Sequence, residues 1–119
     1  MTTEYSFIRD INGYNGLSLI PSNQIWTANL AAATATPLLV PSDAAQYVVY
    51  INVEPAKEVW MATTGTAAIP AGAAFAASNS FLINGNYNPT PAFIVNAGIT
   101  LSFISTAGTA ISVMFFKVR

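Results

Sequence analysis

Wherever this chain is strongly patterned, its side chains alternate with a period of two, and that restricts it to sheets. In residues 46–53, Tyr47, Val49, Ile51 and Val53 point one way while Val48, Tyr50 and Asn52 point the other. Residues 99–104 set Ile99, Leu101 and Phe103 against Thr100 and Ser102, the mark of a half-buried strand with a polar outer face. Residues 111–118 set Ile111, Val113 and Phe115 against Ser112, Met114 and Phe116. Residues 58–63 set Val59 and Met61 against Trp60 and Ala62. β-Branched and aromatic side chains dominate all four stretches, because they pack well on a pleated surface.

Turn chemistry separates these stretches. Pro37 and Pro41 bracket Leu38-Leu39-Val40, and Pro41-Ser42-Asp43 leads into the strand at Gln46. Glu54-Pro55-Ala56-Lys57 turns the chain toward Trp60, and Asn84-Gly85-Asn86 is a strong turn signal. Asn96-Ala97-Gly98 and Thr106-Ala107-Gly108 divide the last strands. Strands recurring every 8–12 residues or so indicate a sandwich or barrel. The expected fold is all-β, a single-domain antiparallel β-sandwich, jelly-roll-like in preference to immunoglobulin-like. Alanine-rich residues 31–33 and 73–77 have helix propensity, but Pro, Gly and Thr flank them and leave room for a single turn at most.

The first 25 residues read differently. Asn12-Gly13-Tyr14-Asn15-Gly16 is a loop, followed by Leu17-Ser18-Leu19-Ile20-Pro21. Residues 1–25 are therefore either the first strand or an arm that orders on a neighbouring subunit, and residues 26–119 are the sandwich. If an arm, its contacts are Phe7, Ile8, Leu17, Leu19 and Ile20.

The residue inventory is poor in chemistry. Cysteine and histidine are both absent, so no disulfide, thiolate nucleophile, imidazole base or imidazole metal site exists. Glu54 and Glu58 flank a turn, but glycoside chemistry needs one raised and one ionised carboxylate across a cleft. With Lys57 between them, a solvated turn of mixed charge is the better account. Glu4, Asp10 and Asp43 offer oxygen ligands without any calcium-loop pattern, so no metal is expected. All seven glycines are read as turn residues, none in a phosphate loop that opens a helix. The expectation is no enzyme, no catalytic residue and no cofactor.

Charge narrows the partners. Charged residues make up 8% of the chain, against about a quarter in ordinary soluble domains. None occurs between Glu58 and Lys117. A neutral Thr/Ser/Asn/Ala surface is one explanation; a surface covered by other subunits is the preferred one, since interface cores are depleted in charge. Four scattered basic residues make no stripe for nucleic acid. The start of the chain lacks the basic and apolar regions of a signal peptide, and residues 67–77 are too short to span a bilayer and carry Pro70 and Gly72. The expectation is a soluble product of the cytoplasm with neither nucleic-acid nor membrane partner.

Recognition potential rests with aromatic residues. Trp26, Trp60, Tyr14 and Tyr87 lie among Asn and Thr, a mix that stacks on sugar rings while bonding hydroxyls. Core or interface packing is the competing account for Trp60. Tyr14 and Tyr87 fall on Asn/Gly-rich loops, where binding residues concentrate.

From Thr34 onward the order of features is a Thr/Ala stretch, Thr36-Pro37-Leu38-Leu39-Val40-Pro41, Tyr47-Val48-Val49-Tyr50-Ile51-Asn52-Val53 and Val59-Trp60-Met61-Ala62-Thr63. A Pro/Gly-rich middle follows, then Phe93-Ile94-Val95-Asn96-Ala97-Gly98-Ile99-Thr100-Leu101-Ser102-Phe103-Ile104 and Ile111-Ser112-Val113-Met114-Phe115-Phe116. Over the last two-thirds of the chain this layout resembles small tailed-phage virion proteins, notably jelly-roll capsid cement or decoration proteins. The resemblance implies a homo-oligomer, a trimer, that braces a virion shell by binding the major capsid protein. A carbohydrate- or receptor-binding module of a phage tail or fibre is the alternative.

Overall fold

A computed structural model describes residues 2–4, 7–9, 15–17, 22–72, 75–84 and 92–118, with backbone alone for 7–9, 15–17 and 84. The strands are β1 (Phe7–Arg9), β2 (Asn15–Leu17), β3 (Ile25–Leu30), β4 (Thr36–Leu39), β5 (Gln46–Val53), β6 (Glu58–Ala62), β7 (Ser80–Asn84), β8 (Ala92–Asn96), β9 (Thr100–Ile104) and β10 (Thr109–Lys117). No helix occurs among the described residues, residues 31–33 and 75–77 of the alanine-rich stretches included; residues 73–74 lie outside them.

Strands β3 to β10 form two four-stranded antiparallel sheets, ordered β3-β10-β5-β8 and β4-β9-β6-β7. The pairings are nested: β6 with β7, β5 with β8, β4 with β9 and β3 with β10. The chain is thus one long hairpin, rolled so that β10 also meets β5 and β9 also meets β6. That is the jelly-roll path, and the protein is a single-domain β-sandwich. β1 and β2 pair only with each other as a separate two-stranded sheet. Gly16 consequently lies in a strand opposite Ile8, and not in a turn as its Asn-Gly context suggests.

The two alternating faces meet as the sequence requires. Tyr47, Val49 and Ile51 of β5, Val113 and Phe115 of β10, Val59 and Met61 of β6 and Leu101 and Phe103 of β9 form one core cluster. Phe115 lies at its centre, edge-on to Tyr47 at 6.1 Å and to Trp26 at 5.2 Å. Its neighbour Phe116 faces the other way and is nonetheless fully buried, edge-on to Tyr50 at 5.5 Å.

The polar outer face expected of β9 is corrected by the structure. Ser102 and Ile104 are buried because the loop between β6 and β7, residues 63–79, crosses over them. Ser102 Oγ accepts from Ala67 N–H at 2.9 Å and Ser80 Oγ accepts from Ala68 N–H at 3.0 Å. Between those serines stands Ala62, paired with both and small enough to admit the buried Ala67. Asn79 closes the loop, its Nδ2 donating to the carbonyls of Thr64 at 2.6 Å and Thr66 at 3.1 Å. Compact surface loops with joined ends of this kind are often functional.

Candidate functional site

The ends of the N-terminal segment are built into the sandwich. Thr2 is buried, with N–H donating to Asp43 Oδ2 at 2.8 Å and Oγ1 donating to Asp43 Oδ1 at 2.7 Å. Lys117 N–H donates to Thr3 C=O at 2.9 Å, so residues 2–4 continue the sheet beside the end of β10 where β3 has not yet begun. Asn23 N–H donates to Thr3 Oγ1 at 2.9 Å, and Ser22 Oγ donates to Phe115 C=O. Thr3 and Asn23 therefore form a neck from which the β1–β2 hairpin leaves and returns. Of the expected arm contacts, Phe7 and Ile8 are in β1 and Leu17 is opposite Phe7 in β2, whereas Leu19 and Ile20 lie outside the described residues.

Among the described residues Asp43 is the acid whose surroundings perturb it most. The Tyr47 hydroxyl and both Thr2 donors, with a smaller contribution from Lys117 Nζ at 3.8 Å, hold its carboxyl far below the usual range. Burial and the bond to Asp43 push the Tyr47 phenol up. Tyr47 also accepts from Ala44 N–H at 2.7 Å. The cluster acts as a clamp on the N-terminal strand. Glu54 and Glu58 are engaged separately: Glu54 Oε1 accepts from Ala110 N–H and Glu58 Oε1 from Thr106 Oγ1, each at 2.8 Å. Among the described residues no three His, Cys, Asp or Glu gather as metal ligands do. No described helix is long and apolar enough to cross a membrane.

Of the four candidate aromatic residues, Tyr14 and Tyr87 lie outside the described residues. The structure separates the other two. Trp26 is on edge strand β3, turned inward against Phe115 and lining a narrow apolar slot of about 120 Å³ between β3 and β4. Trp60 is on the outer face of the other sheet, in register with Ile104 and Leu82. It packs on the buried cluster of Ala62, Ala67 and Ile104 and walls a cleft of about 580 Å³ that Ile69, Pro70 and Phe75 also line. Its Nε1–H is buried without a hydrogen-bond partner. An unmatched buried donor costs about 1–3 kcal/mol.

Sequence reasoning missed two surfaces. Strand β3 is exposed from Ile25 to Asn29, with no charge or proline along it and, among the described residues, no neighbour beyond it in the sheet. On the outer face of the same sheet, Thr27, Ser112 and Asn52 stand in one row across β3, β10 and β5. With Asn29 and Glu54 they line a shallow groove of about 490 Å³. Both were visible as residue types; only the strand order brings them together. No protein-family model matches the chain, and no curated protein matches it.

Proposed function

We propose that this chain is a non-catalytic structural subunit that works by packing against protein subunits, copies of itself first. The observation that carries this reading is the β3 flank. Exposed strand edges present unpaired backbone donors and acceptors, and sheet proteins guard them with charge, proline or a cover. Pro37 guards β4 in this way, while Ile25-Trp26-Thr27-Ala28-Asn29 carries none of these devices. Apolar side chains are open elsewhere too: Leu39 and Ile94 are each 64% exposed and Phe75 wholly so. A charge-poor surface with such residues gains most by being covered.

The particular form we propose, following the resemblance of the sequence, is a capsid cement or decoration subunit of a phage virion. It is a homotrimer made in the host cytoplasm that grips the major capsid protein at the shell surface. Repetition around a shell converts modest interfaces into strong avidity. Light scattering on a sizing column tests the self-association on which this depends. A mass near three times the 12.5 kDa of the chain is expected, with Thr27→Lys lowering it. A clean monomer at high concentration overturns the reading.

A second reading is supported by the neutral row Thr27–Ser112–Asn52 with Glu54 in its groove, a set suited to sugar hydroxyls. On this reading the chain is a carbohydrate- or receptor-binding module of a tail or fibre. Saturable calorimetric binding of a defined glycan, lost in Asn52→Ala, is its test.

A further inference from the structure

We infer that the partner of the β3 edge is the β8 edge of a second copy, so that copies join head to tail into a closed ring. This rests on the self-association proposed above and names the two surfaces that meet.

The two edges match in what they leave open. Phe115 N–H donates to Gln24 C=O, so by the alternation of an antiparallel ladder Trp26 and Ala28 also turn their backbone groups toward β10. Ile25, Thr27 and Asn29 turn theirs to the free edge. Ala97 N–H donates to Ala45 C=O, so in β8 it is Ala92, Ile94 and Asn96 whose backbone groups face away from β5. Among the described residues neither edge has a further neighbour in the sheet, and neither strand holds a charge or a proline.

Direction and register follow from the strand order. Every neighbouring pair in β3-β10-β5-β8 is antiparallel, so β3 and β8 run in opposite directions. A rotation that sets β3 beside β8 of the next copy therefore continues the antiparallel alternation. Trp26 and Ala28 share the inward face of Val113 and Ile111, and Phe93 and Val95 share that of Val49 and Tyr47. With inward faces aligned and the strands fully overlapped, Thr27 stands opposite Ile94 of the next copy, Trp26 opposite its Val95 and Ala28 opposite its Phe93. The open groups of Ile25, Thr27 and Asn29 then meet those of Asn96, Ile94 and Ala92, each pair exchanging both hydrogen bonds. Small Ala28 leaves room for the Phe93 ring, and Ile94, 64% exposed in the single chain, gains a neighbour.

The flanks favour this arrangement over a two-fold pairing of β3 with itself. One flank holds the slot between β3 and β4, and the other bears the Phe81–Phe93 pair, with Phe81 37% exposed. Head to tail, those rings face the slot of the next copy. A two-fold pairing sets slot against slot and leaves Ile94 bare. It also leaves β8 open to further copies, whereas a closed ring leaves no edge of this sheet unpaired. The other sheet cannot continue in the same way, because Pro37 guards β4.

The test uses the full chain, which has no cysteine, so introduced thiols react alone. Thr27→Cys and Ile94→Cys, both at exposed positions, are combined in one chain and treated with bismaleimidoethane. Within a chain β10 and β5 separate the two sites, beyond the reach of the linker. A covalent species of three times the chain mass is expected on a denaturing gel. Neither single variant should link to itself, and an equal mixture of the two should yield a species of twice the chain mass. Ile94→Lys should lower the solution mass as Thr27→Lys does. Thr27→Cys linking to itself overturns the proposal, and so does an Ile94→Lys protein of unchanged mass. In both cases the protein is still an oligomer and the self-association stands. A wild-type monomer instead removes the self-association, and this pairing with it.

Discussion

The two flanks of the sandwich solve the same problem in opposite ways. Where β7 and β8 run side by side, Phe81 and Phe93 reach across from the two sheets and meet at 5.1 Å, inclined at 60°. Where β3 and β4 run side by side, one ring does the work. Trp26 turns in from β3 onto Phe115, and β4 answers with Pro37 and Leu38, leaving the slot whose floor is Leu30, Phe103, Ile111 and Val113. A sandwich needs a large side chain from each sheet to shut its side. A flank with a single ring stays open and keeps an unguarded strand edge beside it. The difference is one of closure: side chains from both sheets seal the β7–β8 flank and leave a slot at the β3–β4 flank.

The strongest way to break the open flank is to remove what Trp26 leans on. Phe115→Ala deletes a fully buried ring contacted by both Trp26 and Tyr47, and should cost about 3–5 kcal/mol in urea unfolding. A loss below 1 kcal/mol would show that the flank collapses without that ring. Next in size is Gly108→Ala, at the end of β3. Gly108 has φ of +75°, and a Cβ there would approach Leu30 O to 2.9 Å, closer than such contacts come. A loss of about 1–3 kcal/mol is expected from the strained backbone and the push on the last residue of β3.

How much of this was legible depends on whether the signal was local. Strands β5, β6, β9 and β10 announced themselves because their core residues alternate within one segment. The face that β9 turns outward did not, since its cover is a loop without hydrophobic period. The fit of Ala67 over Ala62, between Ser80 and Ser102, exists only after two strands are paired. Trp60 was identifiable as a candidate from sequence. Its unmatched indole donor was not, because that depends on where the 63–79 loop places its carbonyls. The open edge of β3 was hidden for the same reason: nothing in Ile25-Trp26-Thr27-Ala28-Asn29 says that β10 takes only one of its sides. Ala33 and Ala56 adopt φ of 54° and 62° in turns where Asn or Gly is usual, and alanine gives no local sign of it.

The sealed flank gives a smaller and sharper measurement. A double-mutant cycle on Phe81→Ala and Phe93→Ala should return a coupling of about 0.5–1.5 kcal/mol, the usual value of an edge-on aromatic pair beyond its buried area. The same cycle on Trp26 and Phe115 should return a comparable coupling, because both are edge-on pairs, although Trp26 and Phe115 stand in one sheet and only Phe81 and Phe93 join the two. Zero coupling between Phe81 and Phe93 would mean that the flank is closed by backbone geometry, and the contrast between the flanks would then rest on strand pairing alone.

The smallest effect at neutral pH belongs to the clamp at the root of the open flank, where residues 2–4 occupy the place β3 has not yet reached. Asp43 is over a third exposed, and solvent screens its charge, so Asp43→Asn should cost less at pH 7 than the substitutions above, although the carboxylate's whole contribution is present there. The acid limb is where it tells. The folded carboxyl holds its proton less tightly than an unfolded one, whose pKa is about 3.9, because Tyr47 and Thr2 donate to its ionised form. Between those two values the unfolded state binds the extra proton. The clamp's contribution is therefore complete above about pH 4 and is lost as the pH falls below it. The Tyr47 phenol is shifted the other way, so its contribution holds below about pH 10 and fades as the pH rises through that value. Melting temperatures measured from pH 7 down to pH 2 should fall more steeply for the wild type than for Asp43→Asn. Parallel curves would show that Thr2 is held by the sheet alone, and that the carboxylate at the root of this flank contributes nothing to keeping the N-terminal strand in place.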